Sequence, residues 1–451
     1  MRFLRESLAV CRNLQGSFMA FLISRRKKKC IKKQQKNYLN LLKKSPSCFH
    51  AVKTMKDMLD MEGFEEIKEA DKWELKKGGK YYVTRNDSSI IAFVMPEDEF
   101  SGYRIMASHS DSPTFKIKEN PEMQVDKKYV KLNVERYGGM ICSPWFDRPL
   151  SVAGRIIVNE NDEFVTKLVN VDRDLLMLPN LAIHMNREVN DGYKYNAQKD
   201  MLPLYGDIDS KDTFMKTIAE TAGVKEDDIL AHDLFLYNRV KGTIWGAKEE
   251  FVSSSRLDDL QCAFASLKGF LKGEKKAHLA VHCVLDNEEV GSGTKQGAAS
   301  TFLYDVLVRI NECMEYSYED YVRNLAKSFM LSADNAHAVH PNYSDVADPV
   351  NRPYLNEGIV IKYSANQKYC TDAVSAAMFK DICKKADVPY QVFTNRSDIL
   401  GGSTLGNIST TKVALNAVDI GLPQLAMHSP YETAGIKDTW YLIQAAGKFF
   451  A

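Results

Sequence analysis

Apolar residues recur at helical spacing over residues 37–59: Leu39, Leu41 and Leu42, then Ala51, Val52, Met55, Met58 and Leu59. Ser45-Pro46-Ser47 interrupts the run and predicts a break with a new helix start. Short apolar segments at 81–84, 90–95 and 104–107 predict strands. The last of these runs into Ser108-His109-Ser110-Asp111-Ser112-Pro113, where the proline marks a loop leaving the strand. From about residue 114 to 242 the pattern changes to alternating β segments, such as 129–134 and 153–158. Gly138-Gly139, 159–162 and Asn190-Asp191-Gly192 separate them as turns. After residue 251 helical and apolar stretches alternate. Helices are expected at 260–271, 298–313 and 370–386, and strands at 278–285, 329–333, 390–393, 412–416 and 424–427. This order predicts an α/β fold, a mixed sheet with helices on both faces, interrupted by a β-rich insertion.

Composition adds little. At 451 residues, 45% hydrophobic and 26% charged with a net charge of +1, the chain has the profile of a soluble globular protein of about two domains. Neither a nucleic-acid nor a membrane partner is expected: the charge is balanced, and no apolar run reaches the ~20 residues that span a bilayer. Nine scattered cysteines without a C-x-x-C pair fit reduced thiols and a cytoplasmic setting. Residues 1–35 are basic, with Glu6 as the only acid. They read as a disordered or weakly helical extension dispensable for turnover, with an organelle transit peptide as the alternative.

The chemistry lies where expected strands end. His109 with Asp111, Asp258 with Asp259, Glu288 with Glu289, Asp334 with His337, and His428 all sit at strand ends or in adjoining turns. In open α/β sheets such positions line the ligand crevice. Adjacent carboxylates leaving the apolar strand before Asp286-Asn287-Glu288-Glu289 call for a compensating cation, and one of the pair is free for proton transfer. In His109-Ser110-Asp111, residues two apart on extended chain point the same way, so Asp111 can take the hydrogen of the second His109 ring nitrogen. Singly, each residue reads equally well as a helix cap or a solvated turn. Together, two histidines and three carboxylates suit Zn²⁺, with Mn²⁺ or Co²⁺ as alternatives.

These segments resemble the M18 family of metallo-aminopeptidases, the aspartyl aminopeptidases. The likeness is carried, in order, by Ser108-His109-Ser110-Asp111-Ser112-Pro113, Ser255-Arg256-Leu257-Asp258, Asp286-Asn287-Glu288-Glu289-Val290-Gly291-Ser292, Ser332-Ala333-Asp334-Asn335-Ala336-His337 through Asn342, and Met427-His428-Ser429. The resemblance implies His109 and Asp334 on one zinc, Glu289 and His428 on a second, and Asp258 bridging the two ions of each subunit. Glu288 would be the general base and Asp111 the group orienting His109. His337, Lys362 and Tyr369 would contact a peptide substrate. His184 would reach the active site of a neighbouring subunit. The implied architecture is a zinc-peptidase sandwich from 36–112 and 249–451, with a dimerisation domain at 113–248. Dimers would assemble into a dodecamer. The implied reaction removes an N-terminal residue, Asp or Glu preferred. Two other readings stay open on the residues alone: a deacylase or carboxypeptidase on the same scaffold, and a non-catalytic self-assembling shell.

Overall fold

The computed structural model describes residues 28–275 and 277–451. The basic residues 1–27 of the expected extension lie outside the described residues. A nine-stranded mixed sheet forms the centre, in the spatial order Glu65–Glu66, Lys80–Arg85, Ser89–Val94, Leu279–Leu285, Tyr103–His109, Phe329–Ala333, Asn416–Gly421, Ile359–Lys362, Tyr390–Phe393. The four strands from Leu279–Leu285 to Asn416–Gly421 are mutually parallel. They are apolar at nearly every position because both faces are covered. Met106, Ala280 and Val284 pack with the helices Leu257–Lys272 and Asp438–Phe449 on one side. Ile105, Ala107, Val281, Cys283 and Leu285 pack with Phe302–Cys313 on the other.

The insertion has a core of its own. Six antiparallel strands, in the order Glu163–Asn170, Leu150–Glu160, Ile229–Asn238, Thr114–Val125, Tyr129–Tyr137, Leu204–Asp207, bury Phe115, Leu132, Val152, Ile156, Leu234 and Leu236. Alternation of buried and outward positions along these strands is the period-2 signal that the sequence displays. A smaller five-stranded sheet was not expected. It links Thr243–Trp245, Phe251–Ser254, Glu432–Gly435, Pro423–Leu425 and Ala336–His337. Its strands are two to four residues long, too short for a periodicity to register.

Three expectations need correction. The strand expected at 412–416 begins instead at Asn416, because 410–412 form a turn after the short helix Leu405–Ser409. The strand expected at 424–427 ends at Leu425, since Ala426 and His428 adopt left-handed φ of 55° and 66°. Residues 28–35, read as part of a disordered extension, belong to a helix that runs to residue 44. Ile31 is buried, and the fully buried Gln35 donates through Nε2 to Ile436 O at 2.8 Å and Thr439 Oγ1 at 2.9 Å. Lys32 also pairs with Glu249.

That anchoring makes a prediction. Gln35→Ala takes the side-chain donor from the buried Ile436 carbonyl, while Thr439 Oγ1 keeps the bond from Gln261 Nε2 at 2.9 Å, and should cost about 1–3 kcal/mol. Thermal unfolding should show a lowered midpoint for this variant and for a chain starting at Tyr38. A chain starting at residue 28 is the reference for the truncation. An unchanged midpoint for the Tyr38 start would mean that the helix contributes nothing to stability.

Candidate metal centre

Strand register brings the first residues together. Leu285 pairs with His109, and Ser332 pairs with Ala107, which sets Asp334 beside His109 two residues further on. The three neighbouring parallel strands therefore deliver His109, Asp334 and the Asp286–Glu289 turn to one crevice at their carboxyl ends. The small sheet supplies the opposite wall. Phe251–Ser254 leads to Asp258, and the turn between Pro423–Leu425 and Glu432–Gly435 carries His428. Asp258 opens the helix Leu257–Lys272 with non-helical torsions (φ −80°, ψ 111°), so its side chain points into the crevice rather than capping the helix.

Asp258 stands between two sets of ligands. Its Oδ1 is 3.3 Å from His109 Nε2, which is also 3.6 Å from Asp334 Oδ1. Its Oδ2 is 3.8 Å from His428 Nε2, which is 3.3 Å from Glu289 Oε2. Candidate ligand atoms of His109, Asp258, Asp259 and Asp334 all lie within 4.8 Å of one another, as do those of Asp258, Glu289 and His428. At such separations a pair of like charges repels by about 4 kcal/mol at an effective dielectric constant of ~20. A domain with a stability of ~5–15 kcal/mol cannot hold four ionised carboxylates this way without cations. Among the described residues, the buried oxygens Asp258 Oδ1, Asp259 Oδ1 and Glu289 Oε1 have no hydrogen-bond partner. Unpartnered carboxylate oxygens beside imidazole nitrogens are a donor set that fits zinc.

Surrounding groups hold these side chains still. Asp111 Oδ1 lies 3.2 Å from His109 Nδ1, as the sequence spacing suggested, and His109 Nδ1 also reaches the Asp111 carbonyl at 3.2 Å. The same carboxylate accepts the backbone N–H of Glu288 and of Glu289, each at 3.2 Å. Asp111 thus ties the histidine to the acidic turn. Asn287 at φ 63° shapes that turn, its Oδ1 accepting from Thr294 Oγ1 and Gln296 Nε2, both at 2.8 Å. Lys362, almost fully buried, places Nζ 3.3 Å from Asp334 Oδ2 and 5.5 Å from the Tyr369 ring centre.

The electrostatics follow from this crowding. Burial pushes the Glu288 carboxyl up to about 8; His109 opposes the rise, and Asp334, Asp111 and Asp258 add to it. Burial and Asp258 likewise raise Glu289 well above its ordinary value. For His109 burial favours the neutral ring, but Asp111, Asp258 and Asp334 outweigh it and raise its pKa. For Asp334 burial is overcome by Lys362 and His109, which hold the carboxylate ionised.

Each expected site residue now has a place. His109, Asp111, Asp258, Glu288, Glu289, Asp334 and His428 converge. Lys362 adjoins them through Asp334, so its ammonium faces a candidate metal ligand. Exposed His337 packs 6.0 Å from Phe393, and Tyr369 packs 6.4 Å from the same ring. His184 is not in this group. It is exposed on the single turn Ile183–Met185 of the insertion, flanked by exposed Leu181, Ile183 and Met185. One acid, Glu432, was missed, and another, Asp259, was grouped with Asp258 but given no role. Buried Glu432 accepts the N–H of Asp258 (3.1 Å) and of His428 (2.8 Å), holding both in register. Asp259 Oδ2 accepts the His109 N–H at 3.1 Å. Asp259 was visible as the neighbour of Asp258. Glu432 lies in a short β segment and carries no local signal.

Comparison with known proteins places the chain in a family. Residues 41–450 match the family described as aminopeptidase I zinc metalloprotease (M18). A probable M18 family aminopeptidase 2 of Clostridium novyi is 49% identical over 420 residues, covering 91% of this chain and 97% of the relative. One of the same description from Pseudomonas syringae is 38% identical over 424 residues, covering 92% of this chain and 97% of the relative. Among solved structures, a chain of the cryo-EM complex of Ape4 and Nbr1 superposes with a TM-score of 0.90 at 35% identity, covering 93% of this chain and 86% of that one. The mApe1 dodecamer of S. cerevisiae gives 0.82 at 26%, covering 94% and 97%. The chain belongs to the M18 family of zinc aminopeptidases.

Proposed function

We propose that this aminopeptidase removes the N-terminal residue of peptides, Asp or Glu preferred, using two zinc ions per subunit and Glu288 as general base. The carrying observation is Asp258, whose two oxygens face separate ligand pairs, His109 with Asp334 and Glu289 with His428. These five residues would hold the ions, with Asp258 within reach of both ligand pairs. When bound, zinc would polarise the scissile carbonyl and acidify a coordinated water. Glu288 takes the proton of the attacking water and returns it to the leaving amine. Asp111 fixes the His109 ring through Nδ1 and sets the backbone of Glu288. Glu432 keeps Asp258 and His428 aligned, and Lys362 balances the charge of Asp334.

His337, Lys362 and Tyr369 remain our substrate-contacting set, His337 bordering a cleft with His340, Asn395, Arg396 and Gly401. The cleft's one guanidinium, Arg396, pairs with Asp398, and Asp348 also lines it, so the acidic preference is supported by the family resemblance rather than by this lining. Self-association of the insertion into dimers and a dodecamer, with His184 entering a neighbouring site, is supported by the exposed apolar side chains around His184. It is supported as well by the dodecamer of the yeast relative. The eight described cysteines are all free, which supports a reducing, cytoplasmic setting. Among the described residues no helix is long and apolar enough to cross a membrane. Membership in an aminopeptidase family favours this reading over a deacylase, a carboxypeptidase or an inert shell.

Glu288→Gln should keep zinc content and assembly while kcat falls on the order of 10²–10⁴-fold. Metal analysis and steady-state kinetics on one sample check this, and unchanged turnover would remove Glu288 as base. A panel of aspartyl, glutamyl, leucyl and N-acylated substrates should show at least tenfold higher kcat/KM for the acidic residues. Equal rates on leucyl substrates would end the acidic preference, and activity on N-acylated compounds alone would restore the deacylase reading.

Stability without metal should depend on pH with a definite sign. Glu288 takes up a proton on folding, since its carboxyl moves from about 4.5 to about 8. Its contribution is therefore full below pH about 4.5 and is lost as pH rises through about 8. Glu289 and His109, both raised, act in the same direction. Chelator-stripped protein should melt at progressively lower temperature from pH 5 to pH 8, and zinc should restore the loss. Glu288→Gln should flatten the slope. A metal-free melting temperature that rises over this window would contradict the cluster's electrostatics.

A further inference from the structure

The insertion reaches the catalytic crevice of its own chain. Its strand Tyr129–Tyr137 ends with Tyr137, whose hydroxyl donates to Asp111 Oδ2 at 2.7 Å and accepts from Asn287 Nδ2 at 2.8 Å. The ring is held edge-on against Phe235, 5.6 Å between centres at 80°, in the insertion strand Ile229–Asn238, one strand removed in the same sheet. The next residue, Gly138, lies against Glu289. A Cβ there would sit 3.1 Å from Glu289 Cβ and 3.2 Å from its carbonyl oxygen, and Gly138 has φ 77°, a conformation side chains disfavour. Three residues on, the N–H of Ile141 donates to the His428 carbonyl at 3.1 Å. One short strap of the insertion therefore touches Asp111, Glu289 and His428.

These contacts differ from packing at a domain boundary in where they fall. Asp111 has two oxygens and four calls on them: the His109 ring, the N–H groups of Glu288 and Glu289, and the Tyr137 hydroxyl. Burial and the neighbouring Asp111 charge raise the Tyr137 pKa, so the phenol stays protonated and acts as donor toward Asp111. Its acceptor lone pair binds Asn287, the residue that turns the chain into Glu288. Removing the hydroxyl would take away one of the four contacts that hold Asp111 and deprive Asn287 Nδ2 of its acceptor, with the general base directly downstream.

We propose that the Tyr137–Ile141 strap makes the insertion a positioning element of the catalytic centre in its own subunit, with Tyr137 acting through Asp111 and Asn287 to aim Glu288, and Gly138 leaving room for Glu289. This assigns the insertion a role within the subunit that is separate from association between subunits. It rests on the roles of Glu288 and Asp111 proposed above.

The test is a double-mutant cycle on the full-length, zinc-loaded protein. Tyr137→Phe removes one oxygen and keeps the ring. We expect kcat to fall about tenfold or more, with KM within about twofold, zinc content unchanged and assembly unchanged by light scattering. In an Asp111→Asn background the same change should cost less than about threefold, because the pathway it acts through is already broken. A merely structural tyrosine would give independent, multiplying losses, or losses that track melting temperature, and either result overturns the proposal. So does an unchanged kcat for Tyr137→Phe. Gly138→Ala provides a second arm, expected to lower kcat by displacing Glu289 while the dimer contacts persist; full activity in this variant would remove the strap's contact with Glu289 from the proposal and so defeat it. If Glu288→Gln retains turnover, the general-base reading fails whatever Tyr137 does. If Glu288→Gln is inactive and Tyr137→Phe is not slowed, only the strap proposal fails.

Discussion

The rest of the structure answers to one constraint: carboxylates gathered in a buried crevice repel one another and lose their hydration. Asp258, Asp259, Asp334 and Glu289 cannot all be ionised there at tolerable cost unless cations and donors surround them. Each neighbouring element contributes to meeting that demand. His109 and His428 bring imidazole nitrogens, Lys362 brings a buried ammonium to Asp334, and Glu432 and Asp111 organise backbone N–H groups. The unpartnered oxygens that remain are those a metal would occupy.

Two sheets divide the work. The large sheet provides rigidity, since parallel strands buried on both faces leave little freedom to the residues at their ends. The small sheet provides closure, bringing Asp258, Glu432 and His428 across the crevice. Glu432 belongs to the small sheet and accepts from both Asp258 and His428, so these two ligands are held in register with each other. Such over-determination suits a site whose ligands must stay within a few tenths of an ångström.

The insertion also has two faces toward function. Its exposed apolar turn around His184 looks outward, while the strap from Tyr137 to Ile141 looks inward at Asp111, Glu289 and His428. The two are joined by one β-sheet, and sheets transmit position well because their ladders are stiff.

Much was legible in the sequence. Long apolar strands with acids or histidines at their ends, the helices Leu257–Lys272, Phe302–Cys313 and Ala373–Ala386, and the alternating insertion all carry strong periodic signals. The ligand candidates stood out because charged residues rarely follow such strands without reason. What only the tertiary structure decided depends on contacts between distant segments. The docking of Gln35 against Ile436 joins residues 401 apart, and Glu432 reaches Asp258 across 174. The five-stranded sheet is built from strands too short to show a period. Lys362 pairs with Asp334 across 28 residues, a contact that no local pattern records. Sequence periodicity records which face of an element is buried; it does not record which element does the burying, and that choice determined how His109, Asp258, Glu289, Asp334 and His428 became one site.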